Sequence, residues 1–216
     1  MPSSPAEIPR HLGAEWHRLL LPFRAPEPAV TSALADLISR YSEPSRHYHN
    51  LTHVSEVLGV ISSLVGTDAA VRLAAWFHDA VYDSRAKDNE ERSADLAEAV
   101  LTRLGLPAGL VANVERLVLL TKTHSAEADD GEGQVLLDAD LAILGAEEDR
   151  YDDYAAAIRR EYAWVAEDAY REGRRRVLEG FLKRPRIYFT DALFRSHEGQ
   201  ARRNLRRELD LLVGMR

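Results

Sequence analysis

The chain has 216 residues, 45% of them apolar, which suits one large domain or two small ones with a real core and excludes wholesale disorder. Charged residues make up 29% and the formal net charge is −7, so nothing global draws the chain to nucleic acid or to an anionic membrane. There is no cysteine, which removes disulfides, thiolate zinc sites, iron–sulfur clusters and thiol nucleophiles. The first residues carry no apolar signal segment, and the apolar runs fall short of a membrane span. These features predict a soluble cytoplasmic protein that binds neither nucleic acid nor membrane.

In chain order the sequence reads as helices. HLGAEWHRLLLPF is a short first helix ended by Pro22, and PEPAVTSALADLISRYSE opens near Pro28 and stops before Pro44. NLTHVSEVLGVISSLVG places Val54, Val57, Leu58, Ile61, Leu64 and Val65 on one face, with Asn50 or Thr52 as its cap. DAAVRLAAWFHDAVYD, capped by Asp68, is apolar nearly all round, as a central helix should be. DNEERSADLAEAVLTRLGL has an acidic first turn and ends at Gly105, and PAGLVANVERLVLLTKTH follows. SAEADDGEGQ reads as an acidic surface loop, and VLLDADLAILG as a short apolar helix ending at Gly145. EEDRYDDYAAAIRREYAWV, DAYREGRRRVLEGFLKRP and SHEGQARRNLRRELDLLVG complete an all-α chain; RIYFT is β-like but too short to count as a strand. Short loops favour a single helical domain over residues 1–216, with residues 147–213 packed on a region spanning about 46–145.

Several polar residues sit where apolar ones are expected. Asp79 follows His78 inside the most apolar helix, and a lone buried carboxylate is expensive unless it is paired or metal-bound. Neighbouring helical residues project about 100° apart, so both reach one ion only at the seam between their faces. His53 lies on the edge of the preceding helix, which a short loop should pack antiparallel, facing the dyad. Asp138 and Asp140 occupy a further apolar stretch. Two histidines and two aspartates from three helices make a mixed nitrogen and oxygen set suited to a divalent ion such as Mn, Fe, Co, Ni, Zn or Mg.

The order His53, His78-Asp79, Asp140 resembles the H…HD…D signature of the HD superfamily of metal-dependent phosphohydrolases. RHYHNLTHV, FHDAVYD, DNEERSA, LLDADLAILG, FLKRPRIY and ARRNLRREL extend the resemblance, over roughly residues 30–210, to a bacterial branch of predicted HD phosphohydrolases. It implies an HD-type helical bundle, with His53, His78, Asp79 and Asp140 as metal ligands. Asp140 precedes Leu141, as the last aspartate of the signature usually precedes a leucine, and Asp138 stands two residues away as its alternative. His49, four residues before His53, is open between replacing or assisting His53 as a ligand and binding a substrate phosphate.

The resemblance further implies hydrolysis of a phosphate ester or anhydride of a nucleotide or small phosphorylated metabolite by a metal-activated water. Asp83, four residues and one helical turn past Asp79, is a candidate to orient or deprotonate that water, and Glu90 is a second candidate base. Lys122, His124, Arg46 and Tyr48 are candidates for phosphate contacts, with Arg184 a remote one. Tyr82 stands where related hydrolases of guanosine tetraphosphate carry an acid, which argues against that substrate. A nucleotide-binding regulator with a catalytically idle site and an HD-type metal oxygenase are the competing readings; His124 is the only histidine between the dyad and the last aspartate, which favours one metal over two. The oligomeric state is open between monomer and homodimer.

Overall fold

The computed structural model describes residues 8–64 and 68–214, so Val65, placed by periodicity on an apolar face, lies outside the described residues. The described residues form ten α-helices and no strand. These are α1 (Ile8–Leu20), α2 (Glu27–Tyr41), α3 (Leu51–Ser63), α4 (Ala69–Phe77), α5 (Asn89–Arg103), α6 (Ala108–Leu120), α7 (Gly131–Leu141), α8 (Glu148–Glu161), α9 (Glu167–Leu182) and α10 (Asp191–Gly214). Short 3-10 turns follow α1 at Leu21–Phe23 and α7 at Ala142–Gly145. No helix among the described residues is long and apolar enough to cross a membrane.

The chain divides into two compact units, Met1–Ala139 and Asp140–Arg216. The division falls inside α7, which runs unbroken from Gly131 to Leu141, so Asp140 is the penultimate residue of a helix rooted in the first unit. In that unit α4 is central: Ala70, Val71, Leu73, Ala74, Ala75, Trp76 and Phe77 are all buried, as its nearly continuous apolar sequence requires. Trp76 meets Trp16 of α1 edge to face at 5.2 Å. Polar atoms of this aromatic core are satisfied locally: Trp16 Nε1 donates to Val30 O at 3.1 Å, Tyr41 Oη to Trp76 O at 3.0 Å, and Trp76 Nε1 to Glu15 Oε2 at 2.9 Å. Fully burying a Leu or Phe in such a core contributes about 1.5–3 kcal/mol.

Several boundaries differ from the sequence expectation. α4 ends at Phe77, not at Asp83. Beyond it the backbone bonds to side chains: Arg46 takes the carbonyls of Asp79 and Ala80, Ser93 Oγ pairs with both N–H and C=O of Val81, and the Asn89 amide pairs with both backbone groups of Asp83. α7 begins at Gly131, inside the stretch read as loop, because Asp130 Oδ1 accepts from Gly133 N at 3.0 Å and caps it. Arg116 on α6 grips that same Asp130 at 2.5 Å. α10 begins at Asp191, five residues before the expected SHEGQ start.

The second unit is built on polar clamps as well as apolar contacts. Asn204 Nδ2 donates to Leu144 O at 2.9 Å and Ala146 O at 2.8 Å, and Glu198 accepts from Ile187 N at 2.9 Å and from Tyr188 N at 3.3 Å. RIYFT is thereby a turn region held to α10. A Cβ on Gly145 would lie 2.6 Å from His197 Cβ and 2.9 Å from its carbonyl oxygen, so only glycine permits this approach. Arg174, buried on α9, pairs with Glu208 through Nε at 2.8 Å and Nη2 at 3.0 Å, and Tyr151 donates to the same carboxylate at 2.5 Å. Burial pushes the Tyr151 hydroxyl far above its ordinary value, with the Glu208 charge adding to it, so Tyr151 remains a donor.

Candidate metal centre

His53 enters the site from the first turn of α3. That helix starts at Leu51, with Asn50 as its cap: Asn50 Oδ1 accepts from Thr52 N at 2.8 Å. His78 is the C-terminal capping residue of α4, and Asp79 stands in the turn beyond. α3 and α4 pack together so that the start of one meets the end of the other, as an antiparallel pair does.

The geometry is tight. The Nε2 atoms of His53 and His78 lie 3.0 Å apart, and Asp79 Oδ2 is 3.0 Å from His78 Nε2 and 3.5 Å from His53 Nε2. His78 Nδ1 lies 2.9 Å from Ala75 O. A carbonyl can only accept, so Nδ1 carries a proton, and this fixes both the ring orientation and Nε2 as the atom turned to the site. His53, His78 and Asp140 offer one ligand atom each, all within 4.8 Å of one another, and this cluster can hold a metal ion. Both histidines are buried, whereas Asp79 and Asp140 are half-buried.

Burial acts to raise the pKa of Asp79, but the charges of His78 and His49 and hydrogen bonds from His53 and His78 outweigh it. They hold the carboxyl well below the usual carboxylate range. Two imidazole nitrogens and a carboxylate oxygen thus converge on one point, and only shared protons or a cation can bind such a group together. The donor set, its burial and the anchored His78 tautomer all suit a cation.

Of the two candidate aspartates on α7, Asp140 stands with the histidines. Asp138 is two residues back, about 200° around the helix, and is fully buried. His49 precedes α3, so it and His53 do not share a helix face. The rings still lie 5.9 Å apart, and His49 stacks on Tyr82 at 4.2 Å.

The other candidates fall elsewhere. Asp83 is not one helical turn past Asp79, because α4 has already ended. It is exposed, and its Oδ1 accepts from Arg85 N at 2.9 Å in a local turn. Glu90 sits in the first turn of α5, where it lies in the field of Lys122. Lys122 forms an ion pair with Glu91 and donates to Lys87 O at 3.3 Å, so its charge is already matched. His124 closes the turn after α6 with a left-handed backbone, φ 47°. Arg184 lies over the Phe181 ring at 4.8 Å.

Arg46 does not face outward to a phosphate; it is buried, and its donors serve backbone carbonyls and Glu43. Ser93, which ties Val81 to α5, carries little signal in the sequence. Its one signal is a serine on the buried side of an otherwise charged helix.

Scans against protein-family profiles, curated proteins and solved structures each returned no match.

Proposed function

We propose that this protein is a metal-dependent phosphohydrolase that cleaves a phosphate ester or anhydride, with a nucleotide or another small phosphorylated metabolite as substrate. The observation that carries the reading is the convergence of His53, His78 and Asp140, with Asp79 against both histidines, on one partly enclosed point. The order of these residues along the chain resembles the HD signature and supports the same reading. His53, His78, Asp79 and Asp140 would hold the ion, a divalent one on the chemistry of the donors. Bound there, it would lower the pKa of a coordinated water and polarise a phosphoryl oxygen.

The chain itself supplies three things. His78 is fixed in one tautomer by Ala75, so its Nε2 needs no reorganisation to serve as a donor. Asp79, held ionised, adds negative charge that favours a cation over a neutral ligand. The His49–Tyr82 pair stands beside the histidines and offers an imidazole and an aromatic face to a substrate.

The test is phosphate release from a panel of nucleotides and sugar phosphates, with Mn(II) or Co(II) added. Metal-dependent release is expected from the wild type and not from Asp79→Ala. A metal-loaded protein that releases nothing across the panel would instead be a binder with an idle site.

A further inference from the structure

Arg46 lies seven residues before His53, in the segment leading into α3, and its side chain is only 1% exposed. Nη1 donates to Asp79 O at 2.6 Å and His49 O at 3.2 Å, Nη2 to Ala80 O at 3.1 Å, and Nε to Glu43 Oε2 at 3.2 Å. The guanidinium carbon sits 5.1 Å from the Tyr41 ring centre and 5.7 Å from that of Tyr82. Burying a cation is costly unless it is paired and hydrogen-bonded, and an apolar side chain would fill this volume at less cost. What an apolar residue could not do is join two backbone segments. One segment, 46–49, leads to His53. The other, 79–80, carries Asp79 and follows His78.

We propose that Arg46 is the positioning residue of the metal centre: it locks the His78–Asp79 turn against the segment entering α3, and so sets the spacing of the His53, His78 and Asp79 ligand atoms. This rests on the reading of that cluster as a metal centre. The guanidinium is planar and rigid, with its N–H groups at fixed angles. Carbonyls bound to two of its nitrogens are therefore held at a set separation. A lysine ammonium keeps the charge but presents one freely rotating nitrogen, which cannot hold the carbonyls of Asp79 and His49, bound to Nη1, and that of Ala80, bound to Nη2, in this fixed planar arrangement.

Arg46→Lys and Arg46→Ala decide the matter through two readouts, Co(II) affinity from ligand-field absorption and amide exchange in the metal-free chain. For Arg46→Lys the expected result is a folded protein whose exchange quickens in residues 47–52 and 77–83 alone. Its Co(II) affinity should fall about 10-fold or more, the scale set by loss of a partner behind a metal ligand. In Arg46→Ala, added guanidinium ion should restore part of the affinity. Wild-type Co(II) affinity with unchanged exchange in Arg46→Lys would overturn the assignment, and so would faster exchange spread evenly over all helices. A wild-type protein that takes up no Co(II) would count against the metal centre itself. In that case local exchange at 47–52 and 77–83 supports the positioning role, and uniform exchange overturns it.

Discussion

At the scale of single residues the site turns on His78, whose Nδ1–H is anchored on Ala75 O while Nε2 meets His53 and Asp79. Asp79 contributes charge rather than bulk, since its partly exposed side chain is held ionised by its histidine neighbours. Asp79→Ala is therefore expected to leave α4 folded and to cut metal-dependent phosphate release. The loss should exceed the roughly 10–100-fold that removal of an outer-shell partner costs. Steady-state phosphate release, with helicity followed by circular dichroism, checks both halves. His53, His78 and the aspartates were legible in the sequence because polar residues in apolar runs demand an explanation. For Arg46 the sequence offers no such guide, because a buried arginine and a phosphate-binding one look alike until their carbonyl partners are known.

At the scale of elements, helix centres followed from periodicity, and ends followed where a local signal marks them, as at Asn50 and Gly105, but not where other segments bind the backbone. α4 looks able to continue to Asp83, but Arg46, Ser93 and Asn89 compete for its backbone from elsewhere in the chain, and no local pattern encodes that competition. α7 starts early because Asp130 caps it within a glycine-containing acidic stretch. Gly133→Ala tests this packing. Alanine gains about 0.5–1 kcal/mol of helix propensity. Its Cβ, however, would lie 2.7 Å from Leu120 Cδ1 and 2.5 Å from the Asp130 carboxylate that forms the cap. Overpacking costs about 1–3 kcal/mol, so a net loss of about 1 kcal/mol is expected in urea unfolding.

Asp130 also predicts a pH dependence. Burial opposes its charge, but hydrogen bonds from Arg116 and Gly133 and the Arg116 charge prevail and lower its pKa. A lowered carboxylate pKa means stability that is present above the unfolded value, about 3.9, and lost as pH falls through the folded value. The gap in thermal stability between wild type and Asp130→Asn should be full at pH 6 and close below about pH 4. A gap that persists unchanged into acid would remove the ion pair from the account.

At the scale of the whole molecule, the all-α class was legible from composition and periodicity, and the described residues are helical with no strand. Beyond Asp140, the sequence signals of the second unit were the remote candidate Arg184, the flanks FLKRPRIY and ARRNLRREL, and its arginine content. The structure uses Arg174 and Arg202 within that unit, as partners of Glu208 and Glu198, consistent with ion pairs rather than a basic surface. The site belongs to helices of the first unit and to α7, which carries Asp140 two residues beyond the fully buried Asp138. Titration calorimetry of the metal-free full chain with Co(II), for the wild type beside Asp140→Ala, puts the central claim to its most direct test. One ion per wild-type chain, and none or a far weaker one in Asp140→Ala, is the predicted result. Absence of binding in the wild type, or equal binding in both proteins, would contradict it.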